Sequence, residues 1–247
     1  MATAARYTDP SLHTYTPVPA AGPGVCAVCH SGPGPRRDVC QSCDEVMRQV
    51  SYPTPNVVPI SLYTVNSPLW NVLRFYKDGY GPGSELFGLQ VAAIIARFTA
   101  RHLGCVAGLL GGDPAIVTSV PTSRFEERPG RHPLEAAITR VRGLERSYAP
   151  LLARGTAPVD HKQADDDAFT VPRRLAGERV IVVDDTLTSG ARLQSAVSAL
   201  RLNGASAVAA IVVGRVIDPD WNEHCRSIWD QARVTAFTFD QCCLCRG

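Results

Sequence analysis

Residues 180–193 read VIVVDDTLTSGARL. Four consecutive β-branched apolar residues have the pattern of a strand covered on both faces, and such strands belong to parallel sheets packed between helices. Two adjacent aspartates, Asp184 and Asp185, end that run, and small hydroxyl residues lead through Gly190 into the next segment. ARLQSAVSALRL then predicts a helix over residues 191–202, halted by Asn203-Gly204. Residues 207–213 supply another apolar strand. Strand, helix and strand in this order predict an α/β domain with a parallel, doubly wound sheet.

Parallel sheets take ligands at the carboxyl ends of their strands, where the aspartate pair falls. The helix that follows presents free backbone N–H groups and the positive end of its dipole, which favour a phosphate. Thr186, Thr188 and Ser189 add hydroxyl donors, and Gly190 lets backbone approach an anion closely. Capping of the helix explains one aspartate and one threonine but not the whole series. A sugar 5-phosphate satisfies both halves, its hydroxyls or a Mg²⁺ ion meeting the carboxylates.

The nine cysteines need a second explanation. MATAARYTDPSLHTYTPVPAAGPG lacks the charged start and apolar run of a secretion signal, and no uninterrupted apolar run approaches the ~20 residues that span a bilayer. A cytoplasmic chain with reduced thiols is therefore expected, with no membrane partner. Cys26, Cys29, Cys40 and Cys43 form two CxxC knuckles, the spacing of a structural Zn²⁺ site; a redox dithiol is the competing reading of either knuckle. Cys242 and Cys245 make a third CxxC, which with Cys225 or His224 could hold a second zinc, could donate to the first site, or could be a tail of free thiols. Cys105 reads as a core residue, and His30 as an exposed loop residue.

Composition divides the chain into five stretches. Residues 1–24, rich in Pro, Ala, Thr and Gly, read as a disordered lead-in. The zinc module occupies 25–50, a linker and hood 51–84, the α/β core 85–218, and a cysteine-containing tail 219–247. Within them a strand is expected over 60–65, a helix from Ser67 to Gly79, a strand over 116–120, a helix over 134–146, and a mobile loop over 154–169. The net charge of +2 gives no electrostatic case for a dedicated DNA-binding domain.

VIVVDDTLTSGAR resembles the phosphoribosyl pyrophosphate (PRPP) signature of type I phosphoribosyltransferases, an apolar strand followed by two acids and a Thr/Ser-Gly loop. The resemblance implies that Asp184 and Asp185, as catalytic residues, hold the ribose hydroxyls directly or through Mg²⁺. Thr186, Leu187, Thr188, Ser189, Gly190, Ala191 and Arg192 would wrap the 5′-phosphate. Thr188 stands where purine-salvage members carry an aspartate that acts on the base, which argues against 6-oxopurine salvage. Arg192 stands where the family has a small residue, and either clamps the phosphate or points away along the helix.

The two CxxC knuckles, FYKDG at 75–79 and VPTSRFEERPGRHPLEAA at 120–137 narrow the likeness. Together they resemble the ComF family of competence-type phosphoribosyltransferases over roughly residues 25–216. By that resemblance Thr122, Ser123 and Arg124 belong to the pyrophosphate loop, with Arg128 and Arg131 as further cations, or else this is a solvated polar loop. Lys162-Gln163 stands for the family's flexible loop, and Lys77 is either a helix cap or a ligand contact. The implied activity is transfer of phosphoribosyl from PRPP to an unidentified nitrogen nucleophile with release of pyrophosphate. The alternatives are a non-catalytic PRPP-binding or single-stranded-DNA-handling accessory protein, and an interaction clamp for a protein partner. The acceptor and the oligomeric state are not readable.

Overall fold

The computed structural model describes residues 2–32, 38–77, 82–121, 132–158 and 160–245. Its centre is a four-stranded parallel sheet in the order β1-β6-β5-β2, where β1 is Val57–Tyr63, β2 Ile116–Ser119, β5 Arg179–Leu187 and β6 Ala207–Val216. A two-residue antiparallel ribbon, β3 (Ala153–Arg154) and β4 (Phe169–Thr170), lies outside it. The parallel α/β arrangement expected from VIVVDD is present.

Successive side chains of a strand point to opposite faces, so a strand buried on both sides must be apolar throughout. On β5, Val180 and Val182 join one core cluster while Ile181 and Val183 join the other. On β6, Val208, Ala210 and Val212 alternate in the same way with Ala209, Ile211 and Val213. The first face is covered by α6 (Ala191–Leu202) through Leu193, Ala196, Val197 and Leu200. The second is covered by α4 (Pro82–Leu110), with Ile94, Ile95 and Phe98, and by α3 (Pro68–Phe75) and α5 (Pro133–Ile138). By length and composition Gly83–Leu110 could cross a membrane, but half of its most apolar window is buried inside the protein. Its apolarity serves the core.

Several elements depart from the sequence reading. Strand β1 begins at Val57, inside the stretch expected to be a linker; Pro59 fits there because β1 is an outer strand of the sheet. Ser67 caps α3 as expected, accepting from the Trp70 N–H at 3.3 Å. The helix over 134–146 shortens to α5 followed by turns, and Gly79 lies outside the described residues. Residues 2–14, read as a lead-in, form α1 (Ala2–Thr8) and a 3₁₀ turn over Asp9–Thr14. Tyr15 anchors them: its ring meets Phe237 edge-on at 5.4 Å, and Gln90 donates to its hydroxyl at 2.9 Å. The segment then runs beside β1, where the Leu62 N–H donates to the Thr16 carbonyl at 2.9 Å.

Within the stretch 154–169, expected to be a mobile loop, residues 164–166 are tied to α6 and to Gln49 and Ser51. Asp166 accepts from Ser51 and Ser198, and the Asp165 N–H donates to Ser195 Oγ at 3.0 Å. The Ala164 N–H donates to Gln49 Oε1 at 2.8 Å, next to α2 (Gln41–Met47). Polarity suggested solvent here, yet these polar groups meet polar partners on α6 and at Gln49 and Ser51. The remaining helix, α7 (Glu223–Arg233), starts with an Asn222 side-chain cap on the Cys225 N–H at 2.8 Å.

Gly204 ends α6 at φ +101°, and a Cβ there would sit 2.3 Å from the Leu175 carbonyl oxygen. Gly204→Ala is therefore expected to lower stability by at least about 2 kcal/mol, because both the backbone conformation and the close approach are lost. A shifted urea midpoint with an unchanged slope is the measurement.

Candidate functional site

The pleat sends the adjacent aspartates to opposite sides of β5. Asp185 follows Ile181 and Val183 toward α3 and is 4% exposed. There the Tyr76 hydroxyl donates to its Oδ2, and the Lys77 ammonium pairs with the same oxygen. Asp184 follows Val180 and Val182 toward α6. Its Oδ1 accepts the Asp185 N–H at 2.9 Å, and its side chain lines a cleft of about 270 Å³. Asp160, His161 and residues 186–193 complete that cleft.

The loop is held from three directions. Arg215, near the end of β6, donates to the carbonyls of Leu187 at 3.0 Å and Thr188 at 2.8 Å. The Lys162 N–H donates to Ser189 Oγ at 3.1 Å, so the Lys162-Gln163 segment does lie against the loop. On the β1 side, Tyr63 Oη and Thr186 Oγ1 are 3.4 Å apart. Gly190 turns the chain into α6 at φ +85°, so the helix N-terminus opens onto the cleft. Arg192 spans from α6 to β2 and donates to the Pro121 carbonyl. Thr122, Ser123, Arg124, Arg128 and Arg131 lie outside the described residues.

Burial pushes the Asp184 carboxyl up to about 7, and the neighbouring Asp185 charge adds to this, while Arg192 and Lys77 oppose it. Burial likewise holds the Tyr63 phenol up, at about 12, and the Tyr76 phenol well above its usual value. His132, at the start of α5, is pushed down to about 4 by burial, with Lys77 and Arg192 acting in the same direction, so its imidazole is neutral. A larger cleft, about 410 Å³, lies between the lead-in and the tail, among Pro17, Val18, Ile228 and Phe237. Its lining includes no charged side chain.

Cys26, Cys29, Cys40 and Cys43 are all buried, and their sulfur atoms lie within 4.8 Å of one another. Cys29 and Cys40 Sγ are 3.7 Å apart, close to the ~3.8 Å edge of a tetrahedron with zinc–sulfur bonds near ~2.3 Å. The Cys40 N–H donates to Cys26 Sγ at 3.3 Å, the kind of outer-shell bond that orients a ligand. The four thiols thus fit a metal such as zinc. Arg215 Nη2 lies 3.6 Å from Cys29 Sγ and 3.4 Å from Ser31 Oγ. One half-buried guanidinium therefore joins this cluster to the carbonyls of residues 187 and 188. Burial works to lower its proton affinity, but the Cys29 and Cys43 thiolates outweigh that and raise it.

The other cysteines differ from expectation. Cys225 sits on α7 against Gly32, beside the N-terminal module, and packs with Leu62, Ile217 and Ile228. Cys242 and Cys245 instead meet His102 and Cys105 of α4. Cys105, expected in the core, faces that group because it lies one helical turn from His102. His30, expected to be exposed, is 3% exposed and its Nδ1 is 2.8 Å from the Pro19 carbonyl.

Sequence reasoning gathered the loop and Asp184 but missed Tyr63, Tyr76 and Arg215. Arg215 had a signal: it is the one charged residue in AVAAIVVGRV, and buried charges need partners. No protein-family model matches the sequence, and no curated protein matches it. Among solved structures it is similar to the adenine phosphoribosyltransferase of Leishmania tarentolae, at 14% identity and a TM-score of 0.35, covering 68% of this chain and 94% of that one.

Two outcomes follow from this geometry. The folded chain binds a proton at Asp184 that the unfolded chain, with a carboxyl near 3.8, releases in mild acid. The resulting stabilisation is complete below pH ~4 and fades as pH rises through about 7. Asp184→Asn, which mimics the neutral acid, should match the parent at pH ~4 and exceed it by on the order of 2 kcal/mol at pH ~8. Thermal denaturation across that range is the measurement. Arg215→Met should cost roughly 3 kcal/mol, because it leaves thiolates and carbonyls without their buried donor. Hydrogen exchange should then rise across residues 186–190.

Proposed function

We propose that the chain binds PRPP in the Asp184 cleft and transfers its phosphoribosyl group to a nitrogen nucleophile, releasing pyrophosphate. The observation that carries this is the cleft itself: a carboxylate, three hydroxyl residues and a helix N-terminus converge at the carboxyl end of a central parallel strand. The loop of residues 186–192 would hold the 5′-phosphate through backbone N–H groups and hydroxyls. Asp184 would accept from a ribose hydroxyl. Asp185, engaged by Tyr76 and Lys77, would act by positioning that lysine and not by touching the sugar.

In the reaction the bond from the anomeric carbon to the pyrophosphate oxygen breaks, and a bond from that carbon to the incoming nitrogen forms. Pyrophosphate leaves with the electron pair of the broken bond, and the nitrogen gives up a proton. The Asp184 charge would favour the positive character that the ribose develops, and a cation such as Lys77 would offset the leaving anion. Mg²⁺ arriving with PRPP would supply further neutralisation of the pyrophosphate. The motif order, with CxxC knuckles ahead of the aspartate pair, supports a type I phosphoribosyltransferase of the ComF kind in a reducing, cytoplasmic setting. The four-cysteine module would hold structural zinc and, through Arg215, keep the phosphate loop in shape.

Titration calorimetry with PRPP and Mg²⁺ tests the reading. The parent should bind, and Asp184→Asn should bind at least about tenfold more weakly. A parent that does not bind, or a variant that binds as well, removes the proposal. Pyrophosphate release across a panel of nitrogen nucleophiles then separates turnover from binding alone.

A further inference from the structure

We propose that His102, Cys105, Cys242 and Cys245 form a second, structural zinc site that staples the C-terminal tail to α4. Their ligand atoms all lie within 4.8 Å of one another. Cys242 and Cys245 Sγ are 3.3 Å apart, Cys245 Sγ is 3.3 Å from His102 Nδ1, and Cys105 Sγ is 3.9 Å from the same nitrogen. A tetrahedral site with bonds near ~2.0–2.3 Å needs donor separations of about 3.3–3.8 Å; two of these spacings are 3.3 Å and the third, 3.9 Å, lies just beyond.

The histidine separates a metal site from a chance meeting of thiols. His102 is 2% exposed, and its Nε2 lies 3.0 Å from the Phe239 carbonyl, to which it can only donate. That bond fixes the tautomer and leaves the Nδ1 lone pair directed at the sulfurs, the outer-shell arrangement found around zinc-bound histidine. A redox pair of Cys242 and Cys245 explains neither the third thiol nor the oriented imidazole. His102 and Cys105 lie three residues apart on α4, so one helix face presents both. Three thiolates and one imidazole with no position left open define a closed, structural site.

The tail has reason to need such a staple. Beyond α7, which ends at Arg233, residues 234–245 form no helix or strand, and few backbone hydrogen bonds hold them. Phe237 and Phe239 pack on Tyr15, and Arg101 pairs with Asp240 at 3.0 Å at the surface. A metal would join positions 143 residues apart in the chain, removing much conformational freedom from the unfolded state. This site lies away from the Asp184 cleft, and the inference does not depend on PRPP binding.

The test is elemental analysis of the full chain, prepared with zinc under reducing conditions and then freed of loose metal. Two zinc ions per chain are expected, and Cys242→Ser/Cys245→Ser should retain one. Cobalt substitution supplies a second readout: the absorption lost in that variant should be that of a site with three thiolates and one imidazole, while the four-thiolate spectrum remains. Cys245→Ser alone, at a half-buried position, guards against misfolding: it should release one zinc to a chromogenic chelator at least about tenfold faster than the parent. A single zinc in the parent, or a count unchanged by the double substitution, overturns the proposal.

Discussion

A strand packed between two helical layers cannot direct neighbouring side chains to the same side, and this constraint on β5 organises the rest of the protein. Within the core it demands apolar residues at every position, which VIVV supplies. Where the strand emerges, the same alternation sorts two chemically identical carboxylates into different environments. Asp185 enters the α3 layer and is neutralised by a phenol and an ammonium; Asp184 turns to the α6 side and meets the cleft. The paired aspartates are thus one residue that holds structure and one that faces an open cleft. Burial, and after it the Asp185 charge, account for the high proton affinity of Asp184.

Arg215 extends the arrangement sideways. Its guanidinium cannot lose its charge, so at a buried position it must be surrounded by acceptors. Two of these are carbonyls of the anion loop and another is a thiol of the cysteine module. A metal held by four thiolates would carry a net negative charge, and Arg215 is a cation placed beside it. The four-cysteine module and the loop are therefore joined through one side chain.

What could be read beforehand followed from local signals. β5, α6 and the turn between them combine apolar continuity, a run of small hydroxyl residues and a glycine stop within a single short stretch, so strand, helix and the turn joining them were legible together. The Cys26–Cys43 set was legible because its ligands are close in sequence. The His102 group was not, since half its ligands sit in an apolar helix and half in the tail, and nothing in either stretch announces the other. Lys77 was ambiguous for the same reason: its partner, Asp185, is far along the chain, and the helix end offered a local explanation. Residues 2–14 and 164–166 looked unstructured because the stretches they belong to are polar or lack hydrophobic periodicity. They are ordered by contacts supplied from elsewhere, Tyr15 on Phe237 and Asp166 on Ser198.

The two outer strands of the sheet have one further implication. The lead-in lies along β1 through Thr16 and Leu62, and residues 147–149 lie along β2, where the Val117 N–H donates to the Ser147 carbonyl and the Ala149 N–H to the Val117 carbonyl, each at 2.9 Å. An uncovered strand edge invites another chain to add to it, and proteins commonly block such edges. Here each outer strand meets a segment of the same chain. At Leu62 and at Val117 the outer strands are therefore already bonded within the chain, which shortens the edge that another strand could join.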